Sequence, residues 1–196
     1  MKKLVFLIFV LCIISVAVYF LVFSIQENKS GFEGTPLESL NAGESAPVPA
    51  DMLQPYFNAY FGLKDALVSS DAEAANAAAE NLIAAGKAIY FTPFQLDEAI
   101  SGNISHYINT VESNSMALIQ ENSLDDKRKE FEIISDAFWS LGQITKYNGE
   151  KVFYQYCPMA FDNKGAYWLS NSREILNPYF GDKMLKCGSV KDSLSY

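Results

Sequence analysis

The twenty residues from Leu4 to Phe23 contain no charged side chain, no proline and no glycine. At about 1.5 Å per helical residue such a run spans roughly 30 Å, the thickness of a bilayer core. It is preceded by Lys2-Lys3 and closed by Ser24-Ile25-Gln26. A secretory signal has an apolar stretch of only about 7–15 residues followed by a small-residue cleavage site. Here Ala17 is followed by Val18-Tyr19-Phe20-Leu21-Val22-Phe23, a poor cleavage context. Residues 1–25 are therefore expected to form a single-pass membrane anchor. A cleaved signal with a soluble exported product is the alternative. Cys12 follows Leu11, where a lipoprotein site needs a small residue, and is read as a membrane-buried thiol. Lys2 and Lys3 keep the N-terminus cytoplasmic, so the body is expected outside, in an oxidising compartment where disulfides form.

Residues 26–50 hold Gly31, Gly34, Gly43, Pro36, Pro47 and Pro49 among serines and glutamates, and read as a flexible tether. The remainder, residues 51–196, is enough for one domain. Outside the leader, 13 basic residues stand against 23 acidic ones, a balance that repels phosphate backbones and disfavours nucleic acid. The single histidine, His106, excludes a His-rich zinc site and any dyad of two imidazoles. No Walker loop, G-x-G-x-x-G, H-E-x-x-H or G-x-S-x-G is present, so the common enzyme classes have no footing.

Apolar residues at spacings of three and four mark four helices. Leu53, Tyr56, Phe57, Tyr60, Leu63 and Leu67 form the first stripe, with Pro55 placed in its first turn. Ser70 and Glu73 suggest a capping box opening the second, whose stripe is Ala75, Ala78, Leu82, Ala85 and Ile89. Thr92-Pro93 breaks the chain. The third helix starts at about Gln95 or Ile104 and runs to Gln120, with Ile104, Ile108, Val111 and Leu118 on one face. Ser123 caps the fourth, where Asp125 and Asp126 favour the N-terminal dipole. Its face is Phe131, Ile134, Phe138, Leu141 and Thr145, and Asn148-Gly149 is expected to end it. The acidic residues Glu121, Asp125, Asp126, Glu130 and Glu132, interleaved with Lys127, Arg128 and Lys129, read as a solvated face. The fold class is mainly α: an antiparallel four-helix bundle, because short joints make neighbours antiparallel.

Beyond Gly149 the pattern changes. Val152-Phe153-Tyr154-Gln155-Tyr156 is β-branched and aromatic, a short strand. An irregular tail rich in Gly, Asn, Pro and Asp follows, expected to pack on the bundle. Its length calls for a functional role or a cross-link. It contains both cysteines of the body, each near a methionine: Cys157-Pro158-Met159 and Met184-Leu185-Lys186-Cys187. In an extended chain i and i+2 share a side, and in a helical turn i and i+3 share a face. Each group could thus present two sulfurs to one point. Two thiols and two thioethers are a soft donor set, suited to Cu(I) and similar thiophilic ions. Lys186 is near enough to lower a thiolate pKa. The competing reading is a Cys157–Cys187 disulfide stapling the tail, worth about 3–4 kcal/mol by loop-closure arithmetic. Trp168, Tyr167, Tyr179 and Phe180 are candidates either to wall a metal site or to pack the tail on the bundle. Asp162-Asn163-Lys164-Gly165 lacks the other ligands of a calcium loop and reads as a turn. Cys157 with His106 would lack an orienting group, so no enzyme is expected.

Three tail segments together resemble a bacterial family of domains of unknown function, DUF3347. They are Tyr156-Cys157-Pro158-Met159-Ala160, Gly165-Ala166-Tyr167-Trp168-Leu169-Ser170, and residues 177–188 from Asn177-Pro178-Tyr179-Phe180 to Lys186-Cys187-Gly188. Tyr60-Phe61-Gly62-Leu63-Lys64-Asp65-Ala66-Leu67 looks like the family's opening helix, and Arg128, Phe131 and Ser135-Asp136 match its R-x-x-F-x-x-x-S helix. The resemblance covers about residues 51–192. It implies a helical domain found in exported Bacteroidetes-type proteins and on periplasmic adaptors of copper- and silver-type heavy-metal efflux pumps. The ligand set it implies is Cys157, Met159, Met184 and Cys187. His106, where relatives often carry a histidine, is a possible additional ligand. The function it implies is binding of Cu(I), Ag(I) or another thiophilic metal ion, buffered or handed to an efflux pump or its adaptor. The alternative is a disulfide-stapled interaction module without metal chemistry.

Overall fold

The computed structural model of the chain describes residues 48–90, 98–194 and 196. The expected anchor at residues 4–23, nearly all of the tether, and Thr92-Pro93 lie outside the described residues. Among the described residues no helix is long and apolar enough to cross a membrane.

Four helices pack side by side: α1 (Ala50–Val68), α2 (Ala72–Tyr90), α3 (Glu98–Gln120) and α4 (Leu124–Ile144). The expected stripe of α1 is buried at every position, from Leu53 to Leu67. The helix starts earlier than its proline suggested. Pro55 lies inside it rather than in its first turn, and is exposed, so water can serve the backbone group it leaves unpaired.

The start of α2 differs from the expected capping box. Ser70 takes a left-handed conformation (φ 55°) in the joint. Asp71 is the cap: its Oδ1 accepts from the backbone N–H groups of Glu73 at 3.1 Å and Ala74 at 2.9 Å. The buried stripe is Ala75, Ala79, Leu82, Gly86 and Ile89, displaced from the expected one at two positions. Gly86 permits the close approach of α1, since a Cβ there would lie 3.2 Å from the Tyr56 ring.

In α3 the expected face of Ile104, Ile108, Val111 and Leu118 is buried. At the head of α4, Ser123 accepts from the Asp126 N–H at 3.0 Å, as its position before the apolar run predicts. The helix stops at Ile144, four residues before Asn148, where Lys146 turns left-handed at φ 47°. The solvated face expected over residues 121–132 is only partly so. Lys127 and Arg128 are buried, the first donating to Asn76 Oδ1 at 2.7 Å and to the Leu118 carbonyl at 2.8 Å.

Aromatic rings fill the space between α1 and α4. Tyr60 stacks on Phe131 with centroids 5.3 Å apart, and Tyr56 meets Phe138 at 4.6 Å. Such pairs add about 0.5–1.5 kcal/mol each beyond their area burial.

The tail forms more regular structure than the sequence suggested. The expected strand, β1 (Val152–Cys157), is joined by β2 (Ala166–Ser170) and β3 (Ser189–Leu194) in an antiparallel sheet of order β2-β1-β3. Tyr154 of β1 stacks on Trp139 of α4 at 4.0 Å and on Tyr167 of β2 at 4.5 Å. Tyr60 is the polar pin between bundle and sheet. Its hydroxyl is 2.8 Å from Ser135 Oγ and accepts the Leu169 N–H at 3.0 Å. Ser135 donates to the Phe131 carbonyl, so Tyr60 donates to Ser135.

Replacing Tyr60 by Phe would strand the buried Leu169 N–H. The expected loss is about 1–3 kcal/mol, the cost of leaving a buried donor unpaired. Urea unfolding should show a lower midpoint at unchanged slope. A change below about 0.5 kcal/mol, the scale of a neutral surface substitution, would contradict this role.

Candidate functional site

The sheet register brings the two thiols together. In the β1–β3 ladder Tyr156 faces Ser189, so Cys157 and Cys187 lie immediately beyond the ladder's end. Cys157 is buried and Cys187 half-buried, and both are free. The Cys157 thiol and the Met159 backbone are the neighbouring groups that act on the Cys187 thiol. Burial, followed by the Cys157 contact, pushes the Cys187 thiol up to about 11. Lys186 does not lower it as expected from the sequence. Its ammonium is engaged by the Glu174 carboxylate instead.

The two sulfur groups are arranged differently from one another. The 184–187 segment is a tight turn, closed by the Cys187 N–H on the Met184 carbonyl at 3.0 Å, so i and i+3 approach as expected. The 157–159 segment does not stay extended. The chain turns at Pro158, Met159 adopts φ −93° and ψ −7°, and its side chain is 47% exposed while Cys157 is fully buried. The expected same-side placement of these two sulfurs therefore fails. Met159 instead reaches outward and, with Met184, lines a groove of about 430 Å³ that Phe161, Tyr179 and Phe180 also wall. Two thiols thus form an inner pair, and two thioethers line the adjoining surface.

Asn177, which reads from local pattern only as a turn residue, holds Cys187 in place. Its side-chain amide donates to the Cys187 carbonyl at 2.8 Å, and its Oδ1 accepts the Tyr179 N–H at 2.8 Å. Its backbone N–H bonds the Leu185 carbonyl at 2.9 Å, and its carbonyl accepts from Gly181 at 3.1 Å. The residue is fully buried. Gly188 has φ +146° and passes against Trp168; a Cβ there would lie 2.8 Å from the indole.

Arg128 ties this loop to the bundle. Its Nε donates to the Pro178 carbonyl at 2.8 Å, Nη2 to Ser70 Oγ at 3.0 Å, and Nη1 to Asp125 at 3.1 Å. Tyr179 packs on Phe131 of α4 at 5.9 Å, and its hydroxyl donates to the Tyr167 carbonyl. Trp168 and Tyr179 thus pack the tail on the bundle, while Tyr179 and Phe180 also wall the groove. The turn expected at residues 162–165 is present and tightly wound, with Phe161, Asp162 and Asn163 all left-handed at φ 50°, 56° and 70°. Each such residue costs about 1–2 kcal/mol, which the flanking strands must offset.

His106 is exposed on α3, in edge contact with its neighbour Tyr107. Nothing brings it to the sulfurs. Among the described residues no cluster of three or more His, Cys, Asp or Glu could hold a metal ion. A metal here would have to use the two thiols with thioether support. That chemistry fits a soft monovalent ion and not calcium or magnesium.

Residues 56–149 match a family model described as a protein of unknown function, DUF3347. The match covers the four-helix region and ends before β1, so the sulfur-bearing tail lies beyond it. No curated protein and no solved structure matches the chain.

The raised Cys187 thiol has a measurable consequence. With a pKa of about 11, thiolate is scarce at neutral pH, and only thiolate reacts with iodoacetamide. Alkylation of Cys187, followed by peptide mass spectrometry, should accelerate about tenfold per pH unit between pH 7 and 10. A rate already at its plateau by pH 8 would show that the thiol is not held up.

Proposed function

Since residues 56–149 belong to the DUF3347 family, we propose that the chain carries that family's helical scaffold, with a soft-metal site added by its tail. The function is binding of a thiophilic monovalent metal ion, Cu(I) or Ag(I), on the periplasmic side of a bacterial inner membrane. The chain buffers the metal or hands it to a heavy-metal efflux pump or its adaptor. The observation that carries this reading is the meeting of the two unlinked thiols, Cys157 and Cys187, at the end of the β1–β3 ladder. Neither lies near the other in sequence, and an inert core does not require two thiols at one strand end.

In this reading Cys157 and Cys187 supply the strong donors, each losing its proton on binding. Burial that keeps the Cys187 proton on in the empty site costs affinity at low pH and is offset by the metal–sulfur bond. Met159 and Met184 supply exchangeable thioethers at the groove, where incoming metal arrives. Phe161, Tyr179 and Phe180 restrict water there. An anchor at residues 4–23 would hold the domain near a membrane pump and raise its effective concentration. The overall charge of −8 suits a cationic cargo and not nucleic acid. The second reading is an interaction module without metal chemistry. It is favoured by the way Arg128, Asn177, Tyr60 and the Trp139–Tyr154 stack order the tail without any ligand.

Anaerobic Cu(I) titration of the reduced full chain in detergent, competed by a chromogenic chelator, tests the proposal. One equivalent should bind. The Cys157→Ser, Cys187→Ser double variant should lose more than the roughly 100-fold that disturbing a ligand's outer partner costs. Unchanged affinity in the double variant would overturn the site, and no binding by the parent chain would leave the interaction module.

A further inference from the structure

Cys157 and Cys187 differ in what a disulfide in solution can reach. Cys157 is the last residue of β1, paired with Ala166 of β2 and fully buried. Cys187 sits in a turn between the Gly181–Lys183 3-10 turn and β3, half-buried, with exposed Lys186 before it. The β1–β3 register brings the two residues to the same strand end, yet only Cys187 is open to solvent. An inner, fixed thiol beside an outer, reachable one is the arrangement that lets a mixed disulfide form and then resolve within the molecule.

We infer that Cys187 and Cys157 form a reversible dithiol–disulfide couple that exchanges with a disulfide-bearing substrate, Cys187 meeting it first and Cys157 resolving the product. In the first step the Cys187 sulfur, after losing its proton, attacks one sulfur of the substrate disulfide. That S–S bond breaks, and the departing thiolate takes up the proton. In the second step the Cys157 sulfur, likewise deprotonated, attacks Cys187. A Cys157–Cys187 bond forms, and the second substrate thiol leaves with the proton. Two electrons pass from the protein to the substrate, which leaves as two thiols. The order is fixed by access: the buried Cys157 cannot meet a bulky disulfide, but the β1–β3 register sets it beside Cys187.

The inference does not require metal binding, and it holds if the tail serves only to dock a partner. If the metal reading also holds, oxidation removes both thiolate donors, because only thiolate ligates.

The test uses the reduced full chain with oxidised glutathione at mildly alkaline pH, quenched with acid and mapped by peptide mass spectrometry, which separates Cys12 from the other two. The parent chain should end as an intramolecular Cys157–Cys187 disulfide. Early quench points should show glutathione on Cys187 and not on Cys157. The Cys157→Ser variant should accumulate a stable Cys187 adduct. The Cys187→Ser variant should be modified at Cys157 at least about tenfold more slowly, as burial dictates. The early quench points on the parent chain keep the test independent of whether either variant folds. Equal labelling of the two cysteines, a persistent adduct without closure, or no reaction at all would each overturn the inference.

Discussion

Arg128 brings a full positive charge into a nearly closed site where three parts of the chain meet. Its guanidinium reaches the joint between α1 and α2 at Ser70, the first turn of α4 at Asp125, and the tail at Pro178. A charge that is 4% exposed is costly to desolvate, and only a filled set of acceptors offsets that cost. The planar fork of five donors suits this task; a lysine could not aim at acceptors in so many directions. The acceptors are mostly backbone and hydroxyl oxygens, so the arginine fixes the path of the chain and not merely a side-chain pair. Withdrawing it would leave the Pro178 carbonyl facing apolar surroundings, at the start of the loop that carries Cys187.

The site depends on that stitch in a traceable way. Pro178 follows Asn177, and Asn177 grips the carbonyl of Cys187. The position of the outer thiol is thus set from α4 through two consecutive residues. The inner thiol is set independently, by β1, whose place on the bundle is fixed by the Tyr60–Leu169 bond and the Trp139–Tyr154 stack. Two separate supports converge on one sulfur pair.

The helices were legible because bulky residues repeat at helical spacing. Leu53, Tyr56, Phe57 and Tyr60 admit one phase only. In α2 the phase slipped, because most positions are alanine and neither face differs in size from the next. What decides it is Tyr56 of the facing helix, which needs the absent side chain of Gly86. The cap went to Asp71 and not Ser70 for a similar reason: Ser70 is the acceptor for Arg128, 58 residues away. The burial of Lys127 and Arg128 was equally hidden, since local charge patterning favours a solvated face and the partners come from α2, α3 and the tail. β3 reads Ser-Val-Lys-Asp-Ser-Leu, with no local preference for a strand; it exists because β1 offers an edge.

The sulfur residues could be listed from the sequence, but not their arrangement. Local geometry argued for Cys157 and Met159 on one side, and the turn at Pro158 separates them by sending Met159 to the surface. The contact that matters links residues thirty apart and follows from the β1–β3 register, which nothing in the local sequence specifies. The same register explains why the two thiols are unequal. A strand end beneath a covering loop buries its cysteine, and a turn at the rim leaves its own partly open. Of the two thiols, Cys187 is the one a solvent-borne reagent meets, and Cys157 is the one the fold encloses.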